Sequence, residues 1–131
     1  MASLKETAVT LLATVDPFTV RTAEAITLYT VPTGKVCILD HVKIVCGAAA
    51  STTAVLTFGR STALTDFLGS QTMTNLAASG DCVICAPIPA ATPVKTKSYA
   101  AAVIIQVDVA TADADGSTDA ILMLYGTLYD A

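Results

Sequence analysis

Residues 25–46 read AITLYTVPTGKVCILDHVKIVC, two β-type runs joined at Val31-Pro32-Thr33-Gly34-Lys35. Proline fixes φ at the second position of a turn, and a glycine two residues later can take the positive φ that closes it. Beyond the turn, Val36, Ile38, Val42, Ile44 and Cys46 share one parity, with Asp40 the only break. That is the period-2 signature of a strand with one buried face. A strand of about eleven residues lies near the upper end for globular proteins, and it predicts the spine of a sheet.

Upstream of the spine, residues 8–15 read as a short strand or arm ended by Asp16-Pro17, and residues 18–21 as a second extended piece. Downstream, residues 47–51 are a small-residue connection. Alternation then resumes, with Ala54, Leu56 and Phe58 on one face and Thr53, Val55 and Thr57 on the other. Residues 61–79 break the pattern. Thr62, Thr65-Asp66, Phe67-Leu68, Met73 and Leu76 fall at helix-like spacing interrupted at Gly69, which predicts a long excursion with one or two helical turns. Such insertions in β domains cover an open end or reach a neighbour.

The rest is again β-type. Cys82-Val-Ile-Cys85 reads as a short strand stopped by Pro87, and Pro87, Pro89 and Pro93 make residues 86–94 an edge or crossing segment. Residues 99–109 alternate, with Val103, Ile105, Val107 and Val109 inward and Gln106 and Asp108 outward; Asp115-Gly116 is a hairpin signal. In residues 119–129, Leu122, Leu124 and Leu128 take one face, and Ile121, Met123, Tyr125 and Tyr129 the other. Both faces are apolar, which a one-sided sheet does not need, so Ile121, Met123, Tyr125 and Tyr129 are candidate subunit contacts. The fold class predicted is all-β, an antiparallel β-sandwich: an N-terminal arm or first strand over 1–15, and a single domain over 16–131. Alternation alone leaves jelly-roll and immunoglobulin-like strand orders open.

Composition points to assembly. Hydrophobic residues make up 53% of the 131 and charged ones only 14%, with a mean hydropathy of +0.65; soluble domains carry about 25% charged residues. So little charge on a small domain implies that outer surface is covered by other subunits. A net charge of −4, with seven scattered basic residues, argues against a nucleic-acid partner, which needs clustered Lys and Arg. The apolar window 44–59 is broken by glycines and a Ser-Thr-Thr run, the window 82–94 by prolines, and the N-terminus has Glu6 beside Lys5. No membrane-spanning helix or secretory signal is therefore expected.

No catalytic constellation stands out. His41 has Leu39 and Lys43 on its parity, and Asp40, adjacent in sequence, is expected to point the other way, leaving the histidine without an orienting carboxylate. Cys82-Val-Ile-Cys85 matches C-x-x-C, but its β-branched filling suits a strand and not a metal turn. Cys37, Cys46, Cys82 and Cys85 are expected as reduced, buried, small hydrophobes. Parity sets Cys37 and Cys46 on opposite faces of the spine. Asp113, Asp115, Ser117 and Asp119 have a calcium-loop look but lack the closing Glu and the flanking helices. The expectation is a protein that is not an enzyme and has no cofactor and no metal.

The run Leu28–Ile44, LYTVPTGKVCILDHVKI, resembles a recurring opening in small structural proteins of tailed bacteriophages, and residues 99–102 and 120–130 resemble the penultimate and terminal strands of the same proteins. The resemblance implies a virion component with a jelly-roll or related sandwich. Such a protein would be made in the host cytoplasm and would decorate or cement the capsid exterior, commonly as a trimer, with the major capsid protein as partner. Phe67 and Leu68 in the excursion, and the arm over 1–15, are then candidates for contact with the capsid or with neighbouring copies. A ligand- or carbohydrate-binding sandwich, as in a head-fibre, neck or tail attachment domain, is the alternative; the chain has no Trp and only 5% aromatic residues, which leaves little for a sugar to stack on.

Overall fold

Nine strands carry the fold in the computed structural model, which describes residues 8–88, 93 and 95–131. They are β1 (Thr10–Phe18), β2 (Ala25–Thr30), β3 (Lys35–Val45), β4 (Val55–Arg60), β5 (Ala63–Thr72), β6 (Cys82–Cys85), β7 (Ser98–Tyr99), β8 (Ile104–Thr111) and β9 (Ala120–Asp130). One sheet has the order β1-β9-β3-β6, with β7 also pairing β3; the other has the order β2-β8-β4-β5. All pairings are antiparallel.

The pairs are nested. Strand β1 pairs with β9, β2 with β8, β3 with β6 and β7, and β4 with β5. Successive pairs fall alternately in the first and second sheets, so the chain is a long hairpin folded back and forth between two layers. Phe18, Leu39, Val42, Ile44, Leu56, Phe58, Ile105, Val107, Leu122 and Leu124 fill the space between them, each 1% exposed or less. Each fully buried side chain of this size contributes about 1.5–3 kcal/mol relative to exposure.

The opening turn forms as its sequence requires. Lys35 N donates to Pro32 O at 3.2 Å, and Gly34 has φ 78°. The spine itself departs from a single parity. Leu39 pairs with Gly126 and His41 with Tyr125, so Asp40 is one residue more than β9 supplies, a β-bulge. The bulge flips the alternation: Cys37 and Leu39 are buried before it, Val42, Ile44 and Cys46 after it. Val36 and Ile38, expected inward, take the outer parity, and Cys37 and Cys46 both end up buried. A second bulge faces the same point. Leu11 pairs with Tyr125 and Ala13 with Leu124, leaving Leu12 as the extra residue. Gly126 lies between them, where an added Cβ would stand 2.7 Å from Ile38 O and 2.8 Å from Leu12 Cδ1.

The predicted helical turns over 61–79 are absent. Residues 63–72 are β5, hairpinned on β4. From Leu56↔Gln71 to Phe58↔Leu68, β4 advances two residues while β5 advances three; from Phe58↔Leu68 to Arg60↔Ala63 the advances are two and five. The extra residues in β5 erase the period of two and create the spurious helix-like spacing. Beyond it, Asp81 Oδ2 accepts from Ala77 N at 3.2 Å and Ala78 N at 2.9 Å, closing an irregular turn over buried Met73 and Leu76.

Two further expectations change. Strand β1 continues through Asp16-Pro17, whose peptide bond is cis, to buried Phe18; an edge strand tolerates the missing N–H. The single strand expected over 99–109 is split into β7 in the first sheet and β8 in the second. Between them Ala102 has φ 68°. Residues 1–7 of the proposed arm, and 89–92 and 94 of the proline segment, lie outside the described residues.

Candidate functional site: the outer face of the first sheet

Strand β9 alternates between buried Leu122 and Leu124 and half-buried Ile121, Met123 and Tyr125. The register carries this outer row sideways. Tyr125 is opposite Leu11 of β1 and His41 of β3; Met123 is opposite Thr14 and Lys43; Ile121 is opposite Val45. Lys43 and Val45 in turn face Ile84 and Cys82 of β6. Four strands thus present one continuous, mainly apolar face. At its two margins Leu11 is 51% and Ile84 64% exposed.

The centre of this face is aromatic and cationic. The His41 and Tyr125 rings stack with centroids 4.6 Å apart and planes 9° from parallel, and the Lys43 ammonium lies 5.3 Å from the Tyr125 centroid, a cation–π distance. The Tyr125 hydroxyl points at Met123 Sδ, 3.7 Å away. Asp40 Oδ2 lies 2.5 Å from His41 Nδ1, which corrects the expectation that neighbours in sequence must diverge: the bulge turns both side chains to one side. The imidazole therefore has an orienting carboxylate. Among the described residues the ring's one hydrogen-bond partner is this carboxylate.

Ile121, Met123, Tyr125 and Tyr129 all lie on the outer parity of β9, with Tyr129 opposite Val36 at the far end. Leu68 does not join them. It is 4% exposed and belongs to the core, because the bulges in β5 turn it inward. Phe67 packs partly on the core and lines a notch of about 300 Å³ with Asp66, Pro87, Lys95, Thr96 and Lys97, away from that face. At the notch floor the Asp66 side chain is 7% exposed and pairs with Lys97 and, at 3.2 Å, with Arg60 Nε. Burial, reinforced by the Asp66 carboxylate, pushes the Tyr99 phenol above its ordinary range. This cluster joins β4 and β5 of one sheet to β7 of the other, and nothing in the sequence pairs residues so far apart.

In the loop with a calcium-loop look, the Asp113 and Asp119 carboxylates are engaged by backbone amides and a serine hydroxyl. Asp119 Oδ1 accepts from Ala48 N at 3.0 Å and Ser117 Oγ at 2.9 Å, and Asp113 accepts from Thr53 N at 3.3 Å and Asp115 N at 3.1 Å. Among the described residues no group of three or more His, Cys, Asp or Glu is placed to hold a metal ion. All four cysteines are free; Cys37, Cys46 and Cys85 are buried, and Cys82, expected inside, is exposed. Burial pushes the Cys37 and Cys85 thiols up to about 11.

What sequence reasoning missed is the width of the site. Leu11, Cys82 and Ile84 join the face only through the pairing of β1 with β9 and of β6 with β3, which the sequence does not declare; the Asp40 bulge, signalled by the break in the apolar parity, adds the Asp40–His41 pair.

In comparisons with known proteins, no protein family matches the chain, and no curated protein matches it. Among solved structures the fold is similar to a chain of the cyanophage Pam1 capsid asymmetric unit. The TM-score is 0.52 at 15% identity, over 91% of this chain and 84% of that one. At that identity the likeness establishes the two-sheet fold.

Proposed function

We propose that this chain is a non-enzymatic structural component of a phage virion. It sits on the outside of the capsid as a decoration or cement protein and stabilises the shell through subunit contacts. The observation that carries the reading is the apolar outer face of the first sheet, on a sandwich whose fold is shared with a chain of a phage capsid. A shell-binding protein works through area, and this face offers it. The nested pairing of strands, alternating between two sheets, supports a jelly roll as the fold type. Low charge and the phage resemblance support a homo-oligomer, with a trimer as the form expected. The purified protein should co-sediment with capsids of the encoding phage that lack it, and light scattering should give the mass of a trimer. Failure to co-sediment would contradict it.

The notch lined by Asp66, Phe67 and Pro87 is a feature, among the described residues, that favours the ligand-binding alternative. A glycan array discriminates: the structural reading predicts no saturable binding.

A further inference from the structure

Lys43 is set in the middle of the outer face, between Met123 and Ile84 in register, half-buried, with its ammonium over the Tyr125 ring at 5.3 Å. The sandwich's other engaged cations have oxygen partners: Lys35 with Asp130, Arg60 and Lys97 with Asp66, and Arg21 with the Gly116 carbonyl. No described carboxylate lies within ion-pair reach of Lys43. On the open face the half-buried ammonium is within reach of solvent as well as of the ring. Once the face is covered, the water leaves, and a buried ammonium without a counter-charge is strongly unfavourable.

We propose that the outer face of the first sheet docks a different protein, whose contact surface brings a carboxylate set among apolar side chains to meet Lys43. This rests on the capsid-association reading and specifies its surface and the chemistry of its partner. Charge complementarity argues against a two-fold pair of copies as the occupant, and a head-to-tail contact between copies is the outcome that the oligomer measurement below detects. An isologous contact of two copies centred on this face would set Lys43 against its own symmetry mate, and Asp40, on the same strand, is already engaged by His41. The apolar margin supplies area, with Leu11 and Ile84 more than half exposed; the central ammonium supplies register, because an apolar surface without an acid would leave it unpaired.

The test is co-sedimentation of the full chain with capsids assembled without it, using wild type, Lys43→Arg, Lys43→Glu, Ile84→Asp and, as a remote control, Ala25→Asp. Ile84 and Ala25 are exposed, so these changes leave the fold intact, which circular dichroism verifies. Wild type, Lys43→Arg and Ala25→Asp should bind alike, Lys43→Glu at least tenfold more weakly, and Ile84→Asp not measurably. If wild type binds and Lys43→Glu and Ile84→Asp bind within twofold of it, this surface is wrong while capsid association stands. If wild type does not bind, capsid association itself falls. If Ile84→Asp instead dissociates an oligomer of the free protein, the face belongs to a second copy and the proposal is overturned.

Discussion

At the residue scale, Gly126 and Cys82 give the sharpest expectations. Gly126 sits where two bulges meet, with Ile38 O and Leu12 Cδ1 inside the space of any Cβ. Gly126→Ala should therefore cost about 1–3 kcal/mol, the usual range for overpacking. Gly69, with nothing within 4 Å of an added Cβ, is the control: Gly69→Ala should be neutral or stabilise by up to about 1 kcal/mol by restricting the unfolded chain. Urea denaturation of the two variants measures both. The cysteines divide in the same way. At neutral pH Cys82 alone should react quickly with a maleimide, and the thiols of Cys37, Cys46 and Cys85 only on unfolding, because they are buried and burial holds them protonated. Mass spectrometry should show one adduct on the native protein and four on the denatured one.

At the element scale, the β3 bulge decides which half of the spine faces the core. Deleting Asp40 would restore one parity and turn either Cys37 and Leu39, or Val42, Ile44 and Cys46, to the outside. The deletion variant should lose its cooperative thermal transition, while Asp40→Ala, which keeps the residue count, should retain it. The same bulge explains how much could be read beforehand. The turn at Pro32–Lys35, the two faces of β9 and the inward row of β8 were legible, because each rests on local turn chemistry or on an unbroken period of two. The path of β5, the shared burial of Cys37 and Cys46, and the Asp40–His41 pair were not, because one inserted residue inverts every parity beyond it, and the partner strand that reveals the insertion lies some 85 residues away in sequence. The Asp113–Asp119 loop adds a pH signature. Burial opposes ionisation of Asp113, but hydrogen bonds from Thr53 and Asp115 outweigh it; the Ala48 amide and Ser117 hydroxyl lower Asp119. Both carboxyls titrate below their ordinary value of 3.8. Their contribution is thus complete above that value and is lost as pH falls through the folded-state values. The urea midpoint should fall between about pH 5 and pH 2, and by less in Asp119→Asn.

At the scale of the whole molecule, the parts converge on a sandwich that is finished inside and unfinished outside. The inter-sheet space is filled by fully buried side chains. The outer face of one sheet, by contrast, continues the apolar pattern to its edges and holds at its centre a half-buried lysine on a tyrosine ring. Phe67 and the Asp66 cluster lie elsewhere, at the notch, so a substitution such as Phe67→Ala should leave capsid binding within about twofold of wild type.

If this face is covered in the virion, as proposed, Cys82, exposed on β6 opposite Val45, reports on it directly. Purified particles and the free protein would be treated with the same maleimide and the extent of Cys82 modification followed by mass spectrometry. The chain should be present in the particles, with Cys82 modification there slowed at least tenfold relative to the free protein. Absence of the chain from the particles, or equal rates of Cys82 modification in both, would contradict it.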